Sequence, residues 1–181
     1  HSFSYQFTKG ELSRDEEEAV VTKYIISALS GACGVNQGIQ NEAPNIRIEK
    51  VKAEKSWIKL VDNKIDYVSS SNHLPELIFP GSFNPFHSGH AEMSELAQKK
   101  TGLSPAYEIC IQNADKPPLS YHEIQRTVLQ FSQSYDWVLT KAGKFSDKAK
   151  LFPNSVFIIG ADTLTRMLDE RFYLNRKDML D

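Results

Sequence analysis

One stretch constrains this chain more than any other: Leu77-Ile-Phe-Pro-Gly-Ser-Phe-Asn-Pro-Phe-His-Ser-Gly-His90. Leu77-Ile78-Phe79 reads as a buried strand, the Gly/Pro/Asn residues after it as a turn, and Ala91 to Lys100 as a helix. A strand-to-helix turn lies outside the carboxyl end of a strand, where open α/β sheets bind their ligands. The first N–H groups of a helix lack partners within it, and the peptide dipoles place roughly half a positive charge there, so the turn favours phosphate. Gly81 and Gly89 let backbone approach a ligand without an intervening Cβ, while Pro80 and Pro85 stiffen the loop. His87 and His90, three apart, occupy neighbouring positions on one helical face and can converge on one bound group. Their rings donate N–H bonds to phosphate oxygens and can carry charge near neutral pH.

The rest of the chain supplies strands and helices in alternation. Ser2 to Phe7 alternates polar and aromatic residues as a half-buried strand does. Ser13-Arg-Asp-Glu16 forms a capping box, and Val20, Val21, Tyr24, Ile25, Ala28, Leu29 and Ala32 recur at helical spacing up to a terminator at Gly34. Glu16-Glu17-Glu18 is a solvated helix start favoured by the dipole rather than a metal site. Val35 to Pro44 reads as a linker. Ile46 to Val51 and Trp57 to Val61 read as strands, Asp62-Asn-Lys64 as a turn into a strand Ile65 to Val68, and Ser69 to Asn72 as a second linker. Past the signature, Met93, Leu96 and Ala97 form the inward stripe of a helix ended by Gly102. Strands follow at Tyr107 to Ile111, Trp137 to Thr140 and Val156 to Ile159. Ser120 and Glu123 form a second capping box, opening a helix whose core face is Ile124, Val128, Leu129 and Phe131. A short helix is expected after Ser146 and another from Gly160-Ala-Asp162 through Leu168. This alternation predicts an α/β fold, a Rossmann-like parallel sheet with right-handed crossovers and helices on both faces, preceded by an N-terminal α/β remnant. Three segments then meet at one sheet edge: Gly81 to His90, Asn113 to Leu119, and Gly160 to Thr163.

Gly81-Ser-Phe-Asn-Pro-Phe-His-Ser-Gly-His90 resembles the HxGH signature of the nucleotidyltransferase superfamily. Its Gly-x-Phe-Asn-Pro part is most similar to the nicotinamide/nicotinate mononucleotide adenylyltransferase branch. Class I aminoacyl-tRNA synthetases share the histidines, but their chains are much longer and Phe-Asn-Pro does not suit them. The resemblance implies in-line attack by a substrate phosphate on the α-phosphorus of ATP, with pyrophosphate leaving and no covalent enzyme intermediate. It implies His87 and His90 as the catalytic pair, and backbone N–H groups from Gly81, Ser82 and Phe83. Asn84 and Gly89 complete the implied nucleotide-binding loop. Lys116 stands where the family places a loop over the accepting nucleotide; it is a phosphate counter-charge or a solvated lysine of a surface turn. Gly160 and Asp162 match an element next to the nucleotide, where Asp162 accepts from ribose or base, caps a helix, or does both. Mg²⁺ is expected on the triphosphate, with no metal site of the protein's own. The partners implied are a nucleoside triphosphate and a small phosphorylated substrate. A second family signature, Ile-Ser-Ser-Thr-x-x-Arg or similar, does not occur before Asp181, and Arg166, Arg171 and Arg176 do not sit in such a context.

The strand and Ser-Arg-Asp-Glu helix at the start resemble the tail of a CinA-type domain, whose catalytic part would lie upstream of His1. The expected partition is therefore a CinA-like remnant over 1–35, a linker with short strands over 36–75, and a nucleotidyltransferase domain over 76–181, C-terminally incomplete. The chain reads as an internal piece of a longer protein. A net charge of −2 with no Lys/Arg cluster gives no sign of nucleic-acid binding. No apolar run reaches the length of a bilayer span. Cys33 and Cys110 lack metal-ligand spacing and read as buried thiols of a reducing compartment, so a cytoplasmic location is expected. Oligomeric state is left open. Two other readings remain beside the adenylyltransferase: a CTP-dependent cytidylyltransferase of a phosphorylated alcohol, and a nucleotide-binding module that no longer catalyses. Phe83-Asn84-Pro85 leans toward the adenylyltransferase, and the presence of both histidines argues against a dead module.

Overall fold

Alternating strands and helices resolve into two units, His1–Lys52 and Ala53–Asp181. The structure, a computed structural model, describes residues 2–4, 7–35, 47–49, 51–112, 117–131 and 134–168.

In the first unit, β1 (Ser2–Ser4) pairs antiparallel with β2 (Arg47–Glu49), Phe3 opposite Ile48. Between them in sequence runs α1 (Arg14–Ala32). The Ser13–Glu16 capping box forms as its sequence dictates: the Glu16 amide donates to Ser13 Oγ at 3.4 Å and the Ser13 amide to Glu16 Oε2 at 2.8 Å. Glu16 is held below its ordinary pKa by those Ser13 bonds. The helix stops at Cys33, and Gly34 takes a left-handed φ of 70°. Cys33 is exposed, against the expectation of a buried thiol: it is the C-cap residue of a helix that buries none of its own residues.

The second unit opens with α2 (Lys55–Val61), where a strand was expected. Trp57 and Leu60 are both buried, and three residues apart is one face of a helix. A five-residue apolar run carries no periodicity that tells strand from helix, and here the buried pair decides. Lys141 Nζ caps the far end, donating to the Val61 carbonyl at 3.0 Å and to Asn63 Oδ1 at 2.7 Å.

The sheet follows: β3 (Tyr67–Ser69), β4 (Leu77–Pro80), β5 (Pro105–Cys110), β6 (Asp136–Thr140) and β7 (Val156–Phe157), in spatial order β3-β6-β5-β4-β7. All pairs are parallel except β3 with β6, so the short β3 closes one edge as an antiparallel strand. The helices between are α3 (Ser88–Thr101), α4 (Tyr121–Leu129) and α5 (Phe145–Leu151), with α6 (Ala161–Met167) after β7. The architecture is the Rossmann-like α/β sheet that the alternation predicts. The chain builds outward from β4 to β5 and β6, then returns to place β7 on β4's other side. Strand order therefore reverses between β4 and β7, and the carboxyl ends of those two strands bound the crevice where such sheets take ligands.

Strand alternation divides the core into two layers. On one face Phe79 and Tyr107 pack with Phe83 and Phe131, and the Tyr107 hydroxyl donates to buried Ser94 of α3 at 2.8 Å. On the other, Ile78 and Val138 meet Phe152, which follows α5. Two expected core residues are exposed instead, Leu96 and Leu129. In α3 the inward position nearest the sheet belongs to Ser94, matched to the Tyr107 hydroxyl, so Leu96 is turned away. In α4, Ile124 and Val128 already fill the face that Leu129 would share. Cys110, half-buried at the end of β5, has its thiol pushed up in pKa by burial. Among the described residues no helix is long and apolar enough to cross a membrane.

Candidate active site

The signature loop leaves β4 at Pro80 and enters α3 at Ser88, so its residues sit at the crevice mouth. Three features shape it. The first is a buried aromatic anchor. Phe83 has a positive φ of 44° and turns its ring inward, where it lies 2 % exposed. There it meets Phe79, Tyr107 and Phe131 edge-on at centroid distances of 5.6, 5.3 and 5.3 Å. Gly81 is required by this fold-back, because a Cβ at that position would stand 2.6 Å from Phe83 Cζ. The absent Cβ thus makes room for the protein's own ring. The Gly81 N–H is also occupied: it donates to the Glu108 carbonyl at 3.0 Å, extending the β4–β5 ladder. Gly81 therefore offers no backbone donor to a ligand, a correction to what the resemblance implies.

The second feature is a clamp from α4 that sequence reasoning missed. Gln130 Oε1 accepts from the Phe86 N–H at 2.8 Å while its Nε2 donates to the Phe83 carbonyl at 2.9 Å, gripping the loop backbone at two points. Arg126, one helical turn earlier, donates to Asn84 Oδ1 at 3.0 Å. Asn84 thus faces the clamp. Neither Arg126 nor Gln130 is marked by any local pattern; they lie more than forty positions away in sequence, and their spacing of four is shared by many surface pairs.

The third is the histidine pair. His87 is the N-cap residue of α3, in extended conformation, and His90 is at the third helical position. Their rings stack at 3.7 Å between centroids and 25° between planes. Phe86 also stacks with His90, at 5.6 Å and 24°, and Phe83 presents its ring edge-on at 5.0 Å. The His87 N–H donates to His90 Nδ1 at 3.3 Å. That bond assigns the neutral His90 tautomer: Nδ1 accepts, so the proton resides on Nε2, which is left as a donor. Gly89 keeps the pair in place, since a Cβ there would press on the His87 ring at 3.3 Å. Ser82 and His87 are exposed, and the first N–H groups of α3, at Ser88 and Gly89, have no acceptor inside the helix.

Burial lowers the His90 pKa, and repulsion from His87 lowers it further. The unfolded chain then takes up this proton before the folded one does. Folded stability is full above the ordinary histidine value of about 6.5 and falls as pH drops from there through the folded pKa. An NMR titration of the imidazole resonances is expected to give His90 a midpoint below that ordinary value.

Across the crevice, β7 ends at Phe157 and Gly160 occupies the cap position of α6, its carbonyl accepting from the Leu164 N–H at 2.9 Å. Asp162 is exposed in the first turn of that helix. The cap is thus Gly160 rather than Asp162, and a Cβ on Gly160 would come within 2.8 Å of Asp162 Oδ1. The loop leaving β5 is tied back by the Leu119 N–H, which donates to the Ile111 carbonyl at 2.9 Å. Lys116, with Asn113 to Asp115, lies outside the described residues. Among the described residues no group of three or more His, Cys, Asp or Glu could hold a metal ion.

Comparison with known proteins gives one finding: the family model described as Cytidylyltransferase-like matches residues 78–178, more than half of the chain. No curated protein and no solved structure matches it.

Proposed function

The chain belongs to the cytidylyltransferase-like family of nucleotidyltransferases, and from that premise we propose that it transfers AMP from ATP to the phosphate of a pyridine mononucleotide. The observation that carries this reading is the stacked His87–His90 pair at the amino end of α3, at the crevice between β4 and β7. An oxygen of the acceptor phosphate attacks the α-phosphorus in line, the bond from that phosphorus to the α–β bridging oxygen breaks, and pyrophosphate leaves with the electron pair. An already ionised phosphate needs no general base, so the protein's task is positioning and charge stabilisation. His90 Nε2–H and the His87 ring donate to the phosphates, and the first N–H groups of α3 add fixed positive dipoles. Gly160 and Asp162 take the ribose or base, and Lys116 meets the acceptor phosphate. Mg²⁺ would come with the triphosphate and would neutralise part of its charge, with no residue of this chain assigned to hold it. Residues 1–35 are read as the tail of a CinA-like domain, to which no chemistry is assigned.

A CTP-dependent cytidylyltransferase is the second reading, favoured by the description of the matched family. Pyrophosphate release separates the two. With ATP or CTP and a panel of acceptors, release is expected with ATP and nicotinamide or nicotinate mononucleotide. Release with CTP and a phosphorylated alcohol alone would move the chain to the second reading, and none with any pair would leave a binding module. An anion seated on the histidines also stabilises their charged forms, so pyrophosphate is expected to raise the His90 titration midpoint.

A further inference from the structure

A buried ion pair between β5 and α5 plays no part in the chemistry described so far. Glu108 of β5 and Lys148 of α5 have side chains 1 % and 5 % exposed, with Lys148 Nζ donating to Glu108 Oε2 at 2.7 Å. Glu108 Oε1 accepts from the Thr140 hydroxyl of β6, whose oxygen in turn accepts from the Ala142 N–H at 3.2 Å. Taking two charges out of water is costly, and a hydrophobic pair of the same size often stabilises a core equally well. The placement of this pair gives it another use. The Glu108 carbonyl receives the Gly81 N–H, the first peptide of the signature loop, and the Thr140 carbonyl receives the Ile111 N–H at 2.8 Å, where the next loop leaves β5. One charge-assisted network therefore locks the two residues that anchor the start of the signature loop and the start of the loop leaving β5.

We propose that Glu108 and Lys148 are positioning residues for the transfer site, holding the carboxyl ends of β4, β5 and β6 in the register that aims the histidines. This rests on the nucleotidyl-transfer reading for its kinetic consequence, though not for its structural one. A paired apolar replacement separates positioning from stability. Glu108→Met with Lys148→Met removes both charges at nearly constant volume and strands only the neutral Thr140 hydroxyl, so melting is expected to fall modestly, whereas Lys148→Met alone strands a buried carboxylate and lowers it much further.

In the double variant kcat is expected to fall about tenfold with KM for the nucleotide little changed, since small misplacements of reacting groups weigh on the chemical step. Amide hydrogen exchange at Gly81 and Ile111 is expected to quicken relative to Leu139 in mid-strand. A double variant with unchanged kcat and unchanged exchange at those two amides overturns the proposal, as does one that loses stability while each folded molecule turns over normally. If the unaltered chain transfers nothing, the functional reading fails on its own account. The exchange rates then decide alone: selective quickening at Gly81 and Ile111 sustains the positioning role, and rates like those of the unaltered chain end it.

Discussion

His90→Ala is expected to lower turnover about 10²–10³-fold, the usual consequence of removing one well-placed donor to charge that grows in the transition state. The ring does two jobs, and their separation makes the test sharp. Its Nδ1 accepts the His87 N–H and so fixes the start of α3, while its Nε2–H is the donor left for a phosphate. Asn at this position can keep the inward acceptor but cannot reach outward. Gln places an N–H close to the site of Nε2 but loses the inward bond. If donation to the transferred group is the main contribution, kcat falls in the order histidine, Gln, then Asn with Ala. If ordering of the helix start matters more, Asn outperforms Gln. Steady-state kinetics on the three variants, with melting temperatures to confirm folding, decides between them; an Ala variant as active as the unaltered chain would remove His90 from the mechanism.

The features legible in the sequence are those whose physics is local. Ser13 with Glu16, and Ser120 with Glu123, form capping boxes because each needs only a hydroxyl and a carboxylate three residues apart. The strand, turn and helix of the signature follow from three contiguous compositions, and the parallel order follows from their alternation. Features built by tertiary contact left no such mark. Lys148 sits in a Lys-rich connection that looks fully solvated, and only its encounter with Glu108 from another strand explains its burial. Arg126 and Gln130 stay exposed even where they bond the signature loop, so no burial pattern singles them out. Phe83 was legible as a loop residue but not as a core residue, because its inward turn depends on a positive φ that bulky side chains rarely adopt.

That inward turn makes Gly81→Ala the second large effect. The added methyl would meet Phe83 Cζ at 2.6 Å and Cε1 at 2.8 Å, closer than carbon atoms approach without displacement. The ring has little room to yield, being enclosed by Phe79, Tyr107 and Phe131. Nor can the Gly81 backbone move away cheaply, since its N–H closes the ladder to Glu108. Overpacking of this kind costs about 1–3 kcal/mol, which denaturant unfolding would read as a lower midpoint at unchanged slope. The damage is also expected to reach the site, because Phe83 lies against the His90 ring at 5.0 Å and a displaced ring shifts the donor with it. Phe83→Leu supplies the control. It destabilises alone by leaving a cavity, yet it removes the atoms that the new methyl would strike, so Gly81→Ala should cost less in that background than in the native one. Strict additivity of the two substitutions would mean that the ring is not what forbids a side chain at Gly81, and that this glycine is held open for something else.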